Sequence, residues 1–212
     1  MQASPKIYHI THVDNLAAIV AAGRLRSDAA MIARGGPKAA IGMGAIKARR
    51  MSLPVDCHPG TAVGEYVPFY FCSRSIMLYV LHMANAEELE YRGGQGPIVH
   101  LEADLHQVVK AADAAKVRWA FSLSNAGALY TEFRKDLAAL GELNWDAIAA
   151  RDFRSQEVKE GKQAEFLVYG TFPWKMVSRI GVRSQAIRTQ VEALLHGAEH
   201  HPPVELRPEW YY

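Results

Sequence analysis

Cysteine is scarce. Cys57 and Cys72 are the only two in 212 residues, and they have neither zinc-ligand spacing nor a CxxC pattern, so a cysteine-held metal cluster and a dithiol redox site are excluded and the chain reads as reduced and cytoplasmic. Long apolar runs are missing too. The longest, Ile76 to Ala84, is interrupted by His82 and falls well short of the ~20 residues that cross a bilayer, and no charged-then-apolar signal opens the chain. Net charge is nearly absent, at +2, so an anionic partner has to be held by a local patch rather than by bulk charge. The GxxxxGK[ST] phosphate loop does not occur, and Gly42-Met43-Gly44 lacks the third glycine and the preceding strand of a dinucleotide fingerprint. His196 and His200 have no third ligand at zincin spacing, and no metal is expected. Acidic residues are missing between Asp28 and Asp56, while Arg34, Lys38, Lys47, Arg49 and Arg50 fall inside that window. It is either a solvated basic loop or an anion site.

What is present is an ordinary globular composition, 50% hydrophobic and 22% charged, which excludes intrinsic disorder and suits a single domain spanning residues 1–212. Lys6 to Thr11 predicts a strand, followed by a short helix capped at Asp14 and stopped at Gly23. Residues 24–44 lose periodicity and collect glycine, which predicts a mobile or ligand-dependent loop. Tyr66 to Cys72 reads as a strand that Pro68 places at an edge or bulge, before a helix from Arg74 to about Glu88. Beyond the Gly93–Pro97 turn come a strand at Ile98–Glu102, a helix from Asp104 through Ala115, a strand at Val117–Leu123, and helices at Tyr130–Leu140 and Trp145–Arg151. Strands at Gln163–Tyr169 and Val177–Val182, a helix at Gln185–His196 and a tail at Pro202–Tyr212 complete the reading. Strands and helices do not alternate strictly, so the expected class is α+β, with central mixed or antiparallel sheets and flanking helices.

Three features carry chemistry. A His-x-Thr pair, His9 and Thr11, sits on the first strand; Phe69-Tyr70-Phe71 leads into Ser73-Arg74-Ser75 and Tyr79; and Glu165 interrupts the apolar strand Ala164-Glu165-Phe166-Leu167-Val168-Tyr169. Taken singly, His9 reads equally as a structural histidine, and Tyr70 and Tyr79 as core aromatics. Glu165 must lie on an exposed face, be paired, or line a cleft, because an unpaired buried carboxylate is costly.

The order of a strand histidine, an aromatic strand with a following Ser-x-x-x-Tyr, and a late strand glutamate resembles the diphtheria-toxin-like ADP-ribosyltransferases with a His-Tyr-Glu triad. More closely, Ile7-Tyr8-His9-Ile10-Thr11-His12 with Asn15-Leu16, the block Glu65 to Tyr79, and Gln163 to Val168 with Pro173-Trp174 resemble DarT, a family of DNA ADP-ribosyltransferase toxins. The resemblance covers about residues 6–180, with 198–212 as a C-terminal tail. It implies transfer of ADP-ribose from NAD to a base in single-stranded DNA, thymine ahead of guanine, with release of nicotinamide, no metal, and a DarG-like macrodomain antitoxin as partner. A carboxylate at the ribose 2'-hydroxyl stabilises an oxocarbenium-like centre, which is the task the resemblance gives Glu165. It implies NAD contacts from His9, Ile10, Thr11, Tyr70 and Tyr79, and an arginine after the first helix that binds NAD and activates the acceptor base, with Arg49 and Arg50 both open. The segment before the glutamate is implied to face DNA, and holds Lys116, Arg118, Trp119, Trp145, Arg151, Arg154, Lys159 and Lys162. Of these, Arg151, Arg154 and Trp119 are the DNA-binding candidates. Alternatives on the same fold are an NAD-dependent RNA 2'-phosphotransferase, a protein ADP-ribosyltransferase, and a catalytically silent nucleic-acid-binding module; retention of Glu165 argues against the last.

Overall fold

The structure, a computed structural model, describes residues 4–84 and 86–212. Its elements in chain order are β1 (Lys6–His12), α1 (Leu16–Ala22), β2 (Arg24–Arg26), α2 (Asp28–Ile32), α3 (Gly44–Arg50), β3 (Tyr66–Tyr70), α4 (Ile76–Met83), β4 (Ile98–Asp104), α5 (Leu105–Ala114) and β5 (Trp119–Asn125). They continue with β6 (Phe133–Arg134), α6 (Trp145–Ala149), α7 (Gln156–Gly161), β7 (Ala164–Tyr169), β8 (Thr171–Pro173), β9 (Arg179–Val182), α8 (Gln185–Leu195) and β10 (Val204–Leu206). Among the described residues, one sheet has the order β10-β9-β4-β1-β3-β7-β5-β6, and β2 pairs with β8 in a second. The pairings are antiparallel apart from β9 with β10. The class is therefore α+β.

Period-2 alternation divides the core between the two faces of the sheet. On β4, Val99 and Leu101 join Ile7, Phe121, Phe166 and Ile180 beneath α5 and α8, while Ile98 joins Leu78, Leu81, Trp210 and Tyr211 on the other side. Each such side chain, fully buried, contributes roughly 1.5–3 kcal/mol. Asp104 caps α5 by accepting from the Gln107 amide at 3.0 Å, as the sequence predicts.

Several expectations are corrected. Residues 24–44 contain β2 and α2, and the stretch beyond is clasped by Asn15, which accepts from the Ala39 amide at 2.9 Å and donates to the Ala39 carbonyl at 2.8 Å. Pro68 is not at an edge: β3 lies between β1 and β7. The proline is tolerated because β1 pairs with β3 at Tyr8 opposite Tyr70 and then parts from it, so the side of Pro68 without an N–H faces the opening. There the His9 ring takes up the Pro68 carbonyl through Nδ1 at 2.8 Å. The helix expected from Arg74 to about Glu88 is the shorter α4, capped by Ser75, and residue 85 within that span lies outside the described residues. The helix expected at Tyr130–Leu140 is instead β6 and a 3-10 stretch at Leu137–Glu142, because Phe133 pairs into the sheet and Asp136 caps the turn after it. Among the described residues no helix is long and apolar enough to cross a membrane.

The tail is part of the fold. β10 extends the sheet, the Tyr211 hydroxyl donates to the Ile98 carbonyl at 2.8 Å, and Trp210 packs against Gly181, where a Cβ would stand 2.2 Å from the indole. Gly181→Ala is therefore expected to cost about 1–3 kcal/mol by overpacking. Thermal denaturation checks this, and a melting temperature equal to the parent would show that the indole is not seated there.

Candidate active site

Glu165 stands on β7 opposite Tyr70 of β3 and is 4% exposed. Arg50, the last residue of α3 and 8% exposed, meets it with a bidentate pair of hydrogen bonds, Nη1 to Oε1 at 3.0 Å and Nη2 to Oε2 at 2.9 Å. The segments are far apart in the chain and are brought together by local features. The end of α3 packs on Gly64, where a Cβ would lie 3.2 Å from the Arg50 carbonyl and 2.5 Å from the Met51 sulfur. On the other side, the β5 ladder slips between Phe121 and Asn125, and Ser122 Oγ accepts from the Glu165 amide at 3.0 Å. A bulge of this kind re-aims the side chain next to it.

Burial opposes the Arg50 cation, but the Glu165 carboxylate outweighs it and holds the guanidinium protonated above its ordinary range. Burial, and then Glu165, push the Tyr70 phenol far up, so it stays a neutral ring and donor. Burial lowers His9 despite its bond to Pro68, leaving a neutral imidazole that donates through Nδ1 and presents Nε2 as an acceptor.

These groups floor a cavity of about 380 Å³ that opens where β1 and β3 part. His9, Ile10 and Thr11 line one side, Tyr70 and Met77 another, and Arg24, Arg26, Arg34, Lys38 and Lys47 stand around them with Asp28. Lys47 pairs with Asp28 at 3.1 Å. The size is that of a small-molecule site; cations predominate on the walls, where Asp28 is paired with Lys47, and Glu165 stands at the floor against Arg50. Cations of this kind suit a pyrophosphate. A paired carboxylate retains lone pairs for a sugar hydroxyl and places negative charge where a ribosyl cation develops. The residues present fit NAD.

Of the residues singled out in the sequence, His9, Ile10, Thr11, Tyr70, Arg50 and Glu165 come together in this cavity. Arg49 does not: it is exposed and lies toward Gly127 on the β5–β6 loop. Tyr79 is on α4 but outside the cavity, in a second hollow with Arg151 and Arg154. Trp119 is corrected to a core residue, 7% exposed, donating to Asp113 at 2.8 Å and stacked on Phe166. Lys162 is likewise taken up inside, its Nζ bonded to the carbonyls of Ile148 and Ala150 at 2.8 and 2.9 Å. Asp28 and Ser122 carried no signal in the sequence, and Asn15 entered only as part of the resembling segment after the first strand, with no role; in the structure it is buried and also donates to Thr11 Oγ1 at 3.1 Å.

The pair has a measurable consequence for stability. Arg50→Ala or Glu165→Ala leaves one buried charge unanswered, and each is expected to destabilise by about 3–5 kcal/mol. Removing both is expected to cost clearly less than the sum. Urea denaturation of the four proteins in the cycle measures this, and strict additivity would mean that the two side chains do not meet.

Comparison with known proteins shows the family to which the chain belongs. The family described as "ssDNA thymidine ADP-ribosyltransferase, DarT" matches residues 8–212. A DNA ADP-ribosyl transferase of Thermus aquaticus is 39% identical over 97% of this chain and 88% of the relative. The structure of Thermus sp. 2.9 DarT in complex with ADP-ribosylated ssDNA superposes with a TM-score of 0.88 at 36% identity, covering 99% of this chain and 97% of that one. The same protein in complex with NAD+ superposes with a TM-score of 0.81 at 34% identity, over 99% and 98% of the two chains. With a match that runs from the first strand through the tail, the chain belongs to the DarT family of DNA ADP-ribosyltransferases.

Proposed function

We propose that residues 1–212 act as one catalytic unit that transfers ADP-ribose from NAD to a thymine base in single-stranded DNA. The chain does so in the cytoplasm, as the toxin of a toxin–antitoxin pair whose partner is a DarG-like macrodomain protein. The observation that carries this reading is the buried bidentate Arg50–Glu165 pair at the floor of a cation-walled cavity. In the reaction the ribose C1'–nitrogen bond breaks, its electron pair leaves with neutral nicotinamide, and a base nitrogen attacks the oxocarbenium carbon and gives up its proton to water. Glu165 accepts from the 2'-hydroxyl and offsets the developing positive charge. Arg50 fixes that carboxylate and, on the acceptor side, polarises the base through its guanidinium donors. His9, Ile10, Thr11 and Tyr70 hold the nicotinamide riboside, and Arg151 and Arg154 steer the DNA strand.

Mass spectrometry of oligonucleotides incubated with NAD tests the reading directly. Addition of ADP-ribose to single strands that contain thymine is expected; addition to guanine-only strands would move the acceptor, and addition to RNA or protein alone would overturn the assignment.

Glu165→Gln keeps the shape and removes the charge, so turnover is expected to fall by orders of magnitude with NAD binding largely kept. Growth arrest on expressing the parent, absent in this variant, is the cellular counterpart. Near-parental turnover would refute the role. Replacing both Arg151 and Arg154 by alanine is expected to weaken DNA binding and flatten its salt dependence, leaving NAD affinity nearly intact. Titrations at several salt concentrations read this slope, and an equal loss of NAD affinity would place the DNA elsewhere.

A further inference from the structure

Helix α4 is a wall between two hollows. Met77 faces the catalytic cavity, whereas Tyr79, about 3 Å further along the helix axis, faces the other side with Arg74, Arg151, Phe153, Arg154 and Tyr212. Three rings there stand edge to face, with centroids 5.0 Å apart for Tyr79 and Phe153, 5.1 Å for Tyr79 and Tyr212, and 5.8 Å for Phe153 and Tyr212. The Arg74 guanidinium lies over the Tyr212 ring at 4.3 Å, and its Nε is buried without a hydrogen-bond partner among the described residues. Asp152 is occupied by Arg154, so the acid neutralises only one of the three arginines.

An aromatic cluster at the surface beside guanidinium donors in excess is not what a packed core requires. A core would close over the rings, and a solvated basic loop would not orient Arg74 on an aromatic face with a buried donor unmet. The combination suits a nucleotide, whose base offers a flat face for stacking and whose phosphate accepts guanidinium hydrogen bonds. The hollow adjoins the catalytic cavity across the width of one helix, about 10 Å. A strand delivering a base to Glu165 has a neighbouring nucleotide within that reach.

We propose that this hollow is a second nucleotide subsite for the acceptor strand, in which a base flanking the acceptor stacks against Phe153 and Tyr79 and its phosphate is held by Arg74 and Arg151. The inference rests on the reading of the chain as a DNA-modifying enzyme and deepens it: the strand is gripped at two positions, and Tyr79 serves DNA rather than NAD. Phe153, in the segment before β7, is the residue that links the acceptor-facing loop to the α4 wall.

The test is fluorescence anisotropy without NAD, using single strands that carry one thymine and an abasic site walked along the flanks. The full-length protein is expected to lose about tenfold in affinity at the acceptor and at one flanking position, the size of one stacked base. Phe153→Ala is expected to weaken the unmodified strand by about tenfold and to erase the flanking penalty while keeping the penalty at the acceptor. Arg151→Ala, at an exposed position with no structural load, is expected to lower the salt slope by about one phosphate. A single sensitive position, or penalties from Phe153→Ala and the flanking abasic site that simply add, would overturn the subsite. The same strands with NAD separate the two levels: no ADP-ribose on any of them overturns the underlying reading, whereas modification with additive penalties overturns the subsite alone.

Discussion

A carboxylate and a guanidinium, both nearly out of water, hold each other at the base of the cavity, and much of the surrounding structure exists to make that contact. Removing two charges from water costs several kcal/mol for each ion, a large part of the 5–15 kcal/mol by which a domain is ordinarily stable. The cost is met only when the geometry is good on both sides. On the Glu165 side, β7 is an interior strand between β3 and β5, and the β5 bulge supplies Ser122 to the Glu165 amide. On the Arg50 side, α3 ends against Gly64, a position where any side chain would push it away. The cation-rich segment from α2 to α3 is thereby tied to the sheet at its far end by Arg50 and near its middle by the Asn15–Ala39 clasp.

The opening between β1 and β3 is the second constraint. A continuous ladder there would have sealed the sheet. Pro68 supplies no N–H to such a ladder, and His9 satisfies the proline carbonyl with a side chain instead of a backbone group. The same substitution leaves a neutral imidazole beside the cavity, with its other nitrogen available as an acceptor. One local exception to sheet pairing thus creates both the space and one of its polar walls.

Much of this was legible in the chain, for identifiable reasons. Glu165 stood out because a charge inside an unbroken apolar strand demands a partner or a cleft, and the acid-free window from Asp28 to Asp56 read as an anion site; that one of its arginines is the partner of Glu165 was not legible. The choice between Arg49 and Arg50 was not legible, since neighbours on a helix point about 100° apart and only the packing of α3 decides which faces inward. Tyr79 stands outside the cavity for the same reason, two residues from Met77 and on the far side of the helix. Trp119 shows a different limit: an aromatic residue among basic ones reads as a DNA contact until the strand's register turns it onto Phe166. Residues 24–44 looked structureless because β2, α2 and their clasp are too short to leave a period, and depend on contacts with β8 and Asn15. The tail was undervalued because Trp210 and Tyr211 belong to a core whose other members lie more than 100 residues away in the chain.

NAD is proposed to lie in this cavity with its reactive ribose over the Arg50–Glu165 pair. A crystal structure with an NAD analogue whose glycosidic bond cannot be cleaved tests it most directly. The ribose 2'-hydroxyl is expected within hydrogen-bond distance of a Glu165 oxygen and the pyrophosphate against the arginine and lysine walls. A dinucleotide bound elsewhere, or one in the cavity with its ribose turned away from Glu165, would contradict it.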